Sequence, residues 1–510
     1  MKKAFIILLI LYIAGCVKNN EIVEPEEEVD TEELLARTKD YFVDNIGANL
    51  PGINTTNEHN EVSDYEWSSS SATHIVFNGS VASVTGLGAT WINSVLQITA
   101  AGTYVISGIS TQAQILVQPT NSDLVKIVLN GVTLTNSGSV INIQKSLKTV
   151  IIANAGTTNS LTDTPNYTFA DNEDEPDATI FSKKDLSFGG TGTIKISSNY
   201  KDAIRSKEGL IINDGNFLIT SVEDGIKGKD YLVINNATID ITAGDDGIVA
   251  SNDSDRALGY LRIENGEVRI SSVDKAIKAE TGLIVNGGKI NVTKSYEALE
   301  GMGILINGGE LDLTASDDGI NAKDGNSYSA TVARNTDHQE VFIKFSGGTV
   351  QVNANGDGID SNGSIYQNGG LVLINGPTAN MDGPIDYDNT YRISGGIIIA
   401  TGSSRMAQIP GNSSTQKSLL VNFSSSQPAN RIFSIKNSHG KEIITYQPSK
   451  SYQSVAFSAP DLVAGSYTFS IGGSSTGINS KGLYSGGAYS EGTETGFSLS
   501  AAITITLTIR

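Results

Sequence analysis

The chain predicts an all-β fold, a right-handed parallel β-helix with rungs of about 21–22 residues and a β-rich C-terminal cap. Three observations predict it. A small residue followed by Ile or Leu returns after an acidic turn at a near-constant interval. A Gly-rich turn returns in register with it. The composition, 54 Gly and 11 Pro in 510 residues, favours turns and strands, and no long helical periodicity occurs beyond about residue 62.

Taken from the N-terminus, Lys2 and Lys3 precede an apolar run from Ala4 to Ile13. That run is too short to span a bilayer but suits the core of a signal peptide. It ends in Ile13-Ala14-Gly15-Cys16, small residues ahead of a cysteine, which resembles a bacterial lipobox cut before Cys16. The expectation is a signal peptide over 1–16 and an exported lipoprotein at the outer membrane or cell surface. Its membrane contact would be made through the acyl chains on Cys16 alone. Cys16 is the single cysteine, so no intrachain disulfide is expected. Residues 17–61 read as an acidic flexible tether, with Glu24-Pro25-Glu26-Glu27-Glu28 as its solvated run and a short helix expected over 31–45.

The solenoid is expected over 62–402. Its clearest repeats are Asp202-Ala203-Ile204, Asp224-Gly225-Ile226, Asp246-Gly247-Ile248, Lys275-Ala276-Ile277, Glu297-Ala298-Leu299, Asp318-Gly319-Ile320 and Asp357-Gly358-Ile359, with Gly383-Pro384-Ile385 as a looser copy. Four of the seven steps between these anchors are 21 or 22 residues, and insertions at 252–256 and 324–338 account for two longer ones. The second marker includes Asn286-Gly287-Gly288, Asn307-Gly308-Gly309, Ser346-Gly347-Gly348 and Asn368-Gly369-Gly370. One such unit cannot bury its apolar face alone, whereas stacked copies can. Right-handed winding is expected from the preferred hand of parallel crossovers. Residues 403–510 lose the period and read as the cap that a solenoid edge needs.

Stacking turns each repeat position into a column. Two residues after the anchor lie small residues from Ser206 to Ser361. The position between, expected to face outward, holds Arg205, Lys227, Val249, Lys278, Glu300, Asn321, Asp360 and Asp386. Two residues before the anchor lie Asp202, Asp224, Asp246, Lys275, Glu297, Asp318 and Asp357, and three before it lie Glu223, Asp245, Asp274, Tyr296, Asp317 and Asp382. Some of these acids serve turn geometry, because Asp-Gly is a common turn pair. Doubled acids exceed what a turn needs, and carboxylates one rung apart can share a calcium ion through oxygen ligands. The candidate metal ligands are therefore Asp202, Glu223, Asp224, Asp245, Asp246, Asp274, Glu297, Asp317, Asp318, Asp357, Asp360, Asp382 and Asp386. The Asn column, Asn213, Asn235, Asn286, Asn307 and Asn368, is expected to stack between rungs.

The net charge of −20 argues against a nucleic-acid partner. Four scattered histidines suggest neither a triad nor a zinc site. A monomer is expected, and catalytic residues are not indicated.

The repeats between about 178 and 400, Gly402-Ser403-Ser404-Arg405-Met406-Ala407, and the tail motif Gly482-Leu483-Tyr484-Ser485-Gly486-Gly487-Ala488-Tyr489 resemble a group of bacterial surface β-helices, the carbohydrate-binding domain-containing proteins. The resemblance covers about 62–510. It implies a calcium-binding right-handed β-helix, related in shape to pectate lyases, that binds acidic plant polysaccharide such as polygalacturonate without cleaving it. Lys275 and Tyr296 interrupt the acidic columns. Three functions stay open: a non-catalytic binder using calcium with Arg205, Lys227 and Lys278; a calcium-dependent polysaccharide lyase with Lys227 or Lys278 as base; and a structural adhesin or spacer.

Overall fold

A computed structural model describes residues 58–169, 172–324, 341–379, 381–500 and 503–509. The signal peptide, Cys16, the helix expected over 31–45 and most of the tether and second insertion lie outside the described residues. Among the described residues the helical turns are Val62–Asp64 and Ser69–Ser71; the remaining elements are strands.

The strands stack in parallel into three columns. The short strands Asp202–Ser206, Ile226–Gly228 and Ile248–Ala250 begin one series that runs on to Ile385–Tyr387. The eight expected anchors pair in register: Ile204 with Ile226, then Ile248, Ile277, Leu299, Ile320, Ile359 and Ile385. All eight are fully buried. The register holds across the longer steps too; in the first of them the extra residues leave the sheet as a loop between Ile248–Ala250 and Tyr260–Ile263. The small positions Ser206, Ala250, Ala279, Ala322 and Ser361 are likewise buried.

The second column pairs Leu210 with Leu232, Leu261 and Leu283. The third pairs Ile219 with Ile241, Ile270 and Val292. In Lys289–Lys294 and Glu310–Ala315 the burial alternates, as expected of strands with one face on the core and one in water. Residues 95–200 continue the same columns, for example Leu116 with Asn142 and Phe181 with Arg205. One apolar core runs from Ile75 to Ala456 through the solenoid.

The period ends where the pairing direction changes. Ile398–Gly402 pairs antiparallel with Ser454–Ser458, which pairs antiparallel with Ser418–Asn422. Beyond lies a six-stranded sheet whose assigned pairs are antiparallel, over a second core that includes Phe433, Tyr446 and Phe469. At the other end Thr73–Asn78 forms an antiparallel hairpin with Val81–Thr85. Antiparallel pairings thus adjoin both ends of the parallel stack, and at the C-terminal end Thr504–Ile509 adds a further strand parallel to Ser418–Phe423; such additions cover backbone that would otherwise invite another chain.

The described end of the tether lies against the second column. His59 Nδ1 is 2.8 Å from Tyr231 Oη and 2.9 Å from Asp185 Oδ2. The Glu58 carboxylate accepts Tyr260 Oη at 3.1 Å and pairs with Arg262.

Candidate cation and glycan sites

The acidic column has a backbone role that its spacing alone did not reveal. Asp202 Oδ1 accepts the amide of Asp224 at 3.1 Å, and Asp224 Oδ1 accepts that of Asp246 at 3.1 Å. Asp246 Oδ1 accepts the amide of Lys275 at 2.7 Å, Asp318 Oδ1 that of Asp357 at 2.7 Å, and Asp357 Oδ1 that of Gly383 at 2.6 Å. Each carboxylate satisfies a turn amide one rung on, a group that costs free energy if buried without a partner. One oxygen of each is committed to the ladder, which leaves the other for a ligand.

Among the described residues three trios of carboxylates converge: Asp245, Asp246 and Asp274; Glu297, Asp317 and Asp318; and Asp357, Asp360 and Asp386. Within each trio the oxygens lie within 4.8 Å of one another. At that separation two full charges repel by roughly 3.5 kcal/mol at an effective dielectric near 20. Protein ammonium groups offset part of that repulsion in two trios: Lys275 Nζ is 2.7 Å from Asp274 Oδ2, and Lys323 Nζ is 3.3 Å from Glu297 Oε1; protons or a cation would relieve the rest. Burial, then the neighbouring carboxylates, pushes Asp246 up to about 7, Asp357 to about 7 and Asp360 to about 8. Asp318 rises to about 6, with burial again the largest cause. Burial, reinforced by Glu300, also raises Glu297.

The donor set fits calcium. All nine donors are carboxylates, with no Cys or His among them. Calcium–oxygen distances of about 2.3–2.6 Å let two ligands of one ion lie up to about 5 Å apart. Glu297 is 4% exposed, and its Oε2 has no hydrogen-bond partner among the described residues. Gly356 stands where Lys, Glu, Asp or Tyr occupies the same column elsewhere. A Cβ there would lie 2.5 Å from Asp318 Oδ1 and 2.6 Å from Asp317 Oδ1, so the missing side chain makes room for the middle trio.

Asp202, Glu223, Asp224 and Asp382 fall outside the trios. Around the first three, protein cations occupy the acidic column. Lys227 Nζ is 2.6 Å from Asp224 Oδ2, and Arg205 pairs with Asp177 and lies 3.7 Å from Asp202. Lys201 Nζ is 3.4 Å from Glu223. Lys278 Nζ is 2.9 Å from Glu280 and 3.8 Å from Glu300. The three expected substrate cations, Arg205, Lys227 and Lys278, therefore all have carboxylate partners within the chain. Asp386 accepts a hydrogen bond from Gln408, and the Asp382 carbonyl accepts one from Ser403.

The outward column is less open than alternation implied. Val249, Glu300 and Asn321 are 3, 6 and 5% exposed. Neighbouring side chains close over them: Lys323 Nζ reaches Glu300 Oε2 at 2.9 Å, and Asn321 donates to Glu297 at 3.1 Å. Lys323, outside the repeat columns, went unread. The asparagine ladder forms at Asn213–Asn235 (3.0 Å) and Asn286–Asn307 (2.9 Å). Tyr231, Tyr260 and Tyr366 are buried, whereas Tyr296 is 46% exposed between Asp274 and Asp317.

Fold and ladder together define a solenoid protein that presents stacked carboxylates along one edge of a parallel sheet. A model of the family of carbohydrate-binding domain-containing proteins matches residues 92–335. A carbohydrate-binding domain-containing protein of Acetivibrio thermocellus is 39% identical over 200 residues, which are 39% of this chain and 70% of that one. The chain belongs to this family. It is also similar, at 30% identity, to a solved structure of the polysaccharide lyase-like protein from C. thermocellum, a gadolinium derivative; the alignment covers 43% of this chain and 94% of that one, with a TM-score of 0.41. The family match takes in the first two trios and ends before Asp357 and the tail motif.

Proposed function

We propose that the protein is a non-catalytic, calcium-dependent binder of acidic, pectin-like polysaccharide. In this reading the rungs wind as a right-handed parallel β-helix, held at the outer membrane or cell surface by lipid on Cys16. The observation that carries the reading is the convergence of three all-carboxylate trios along one edge. An ion held by three carboxylates and backbone oxygens keeps room in its shell for further oxygens. A uronate chain supplies carboxylates at regular intervals and meets such ions as bridges. Without the ion, the same edge repels a polyanion.

The geometry weighs against the lyase reading. A lysine that abstracts a proton must first be neutral. Lys227 is held 2.6 Å from Asp224 and Lys278 2.9 Å from Glu280, contacts that favour the charged ammonium. The test is to incubate the protein with polygalacturonate in calcium or chelator, measuring retention and unsaturated product. Calcium-dependent retention without product is expected. Product formation would make the protein a lyase; no retention and no heat of calcium binding would leave a structural spacer.

A further inference from the structure

We propose a second glycan site, independent of calcium, in a groove between the third strand column and the C-terminal module, suited to a neutral polysaccharide. Two adjoining depressions of about 400 and 160 Å³ share Glu310 and Asp312 as common wall. Together they extend along Gly266–Ser271, Lys289–Lys294, Glu310–Ala315 and Thr349–Ala354. None of their lining residues belongs to a carboxylate trio.

The groove is charge-balanced, unlike the acidic edge. Its three acids, Glu267, Glu310 and Asp312, face three bases, Arg269, Lys289 and Lys481. Lys481 Nζ is 3.0 Å from Glu310 and also pairs with Asp312; Lys289 is 3.8 Å from Glu310; Arg269 is 3.6 Å from Asp240. A polyanion gains no net attraction there, because Lys481 already holds Glu310 and Asp312. What the groove offers is donors and acceptors in rows. Arg269, Asn291, Asp312 and Gln351 are successive partners in one row, and Glu267, Lys289, Glu310 and Thr349 in the next. Amides and carboxylates repeated at each rung, about 4.8 Å apart, match hydroxyls repeated along a chain of pyranoses. Such a chain brings many hydroxyls and no charge, so hydrogen bonding is its means of recognition.

The C-terminal module completes the groove. Ser449 and Lys481 line it, and the module is pinned beside it. Ser449 donates its amide to Asn375 at 2.9 Å, Lys450 Nζ donates to Asn355 at 3.1 Å, and Gln351 donates to the Lys481 carbonyl at 3.4 Å. Lys481 immediately precedes the tail motif. Its turn depends on Gly482, at φ +88°, where a Cβ would lie 2.6 Å from the Gln447 carbonyl. The turn that opens the tail motif thus presents Lys481 to the groove.

The test uses full-length protein in chelator, titrated calorimetrically with cellohexaose, mannohexaose and xylohexaose. Binding of at least one hexasaccharide is expected, weakened tenfold or more in N291A/Q351A. The double variant gives up the Gln351 bond to the Lys481 carbonyl, so a small fall in melting temperature is expected; it should still unfold cooperatively and keep its calcium-dependent retention on polygalacturonate, which reports on the trios and not on this groove. Absence of binding by all three hexasaccharides, or unchanged binding by a folded N291A/Q351A, overturns the proposal and leaves the calcium reading untouched.

Discussion

Asp318 Oδ1 accepts the backbone amide of Asp357 at 2.7 Å, joining a residue of the middle carboxylate trio to a residue of the last. The same side chain thus serves the rung and the candidate ion site, and substitution can separate the roles. Asp318→Asn keeps an acceptor and loses the charge. It should leave the melting temperature in chelator unchanged or slightly raised while removing one calcium site. Asp318→Ala also loses the acceptor and should cost roughly 1–3 kcal/mol in denaturant unfolding.

Gly356→Ala should act first on the middle trio and on the bond from the Asp357 amide to Asp318. The added methyl meets Asp317 and Asp318 oxygens at 2.6 and 2.5 Å. Calcium stoichiometry should fall by one, with the other two sites retained. Undiminished stoichiometry would show that Asp317 and Asp318 do not hold an ion together.

The calcium-free protein should lose stability as pH rises. Asp318, Asp246, Asp357 and Asp360 stand at about 6, 7, 7 and 8 in the fold, against 3.8 as the ordinary value. Raised carboxylates favour the fold while protonated, so their contribution is full below about pH 4 and is lost through pH 6–8. The melting temperature in chelator should fall across that window, and excess calcium should remove most of the fall. A flat or rising profile in chelator contradicts the trio geometry.

Lys227→Met should expose the cost of the acidic column where a lysine occupies it. Asp224 and Asp202 would lose the ammonium that lies 2.6 Å from Asp224. Breaking a fully buried pair costs roughly 3–5 kcal/mol; here, with the Lys227 side chain 26% exposed, about 1–3 kcal/mol is expected from chemical denaturation.

The fold was largely legible because a solenoid writes its geometry as a period. Ile204 through Ile385 stand in the register the spacing implied, across steps of unequal length. The candidate ligands were legible by column but not by grouping. Asp360 and Asp386, from the column that holds Lys227 and Lys278 in other rungs, join Asp357 from a different column, and Gly356 is empty space that a list of acids does not show. The amide ladder under Asp202, Asp224 and Asp246 was hidden because a turn aspartate and a ligand aspartate look alike in sequence. Burial of Glu300 depends on Lys323 folding over it from outside its strand, which alternation along one strand does not encode. The C-terminal module lost its signal where pairing turned antiparallel at Ser454–Ser458.

The most direct measurement is calcium titration of chelator-treated protein by calorimetry, paired with retention on polygalacturonate in the same buffer. The expected result is calcium uptake at the three trios, with one site lost in Asp360→Asn, and retention that requires the ion. Absence of calcium binding, or equal retention in calcium and in chelator, contradicts a carboxylate edge that captures acidic glycan through calcium.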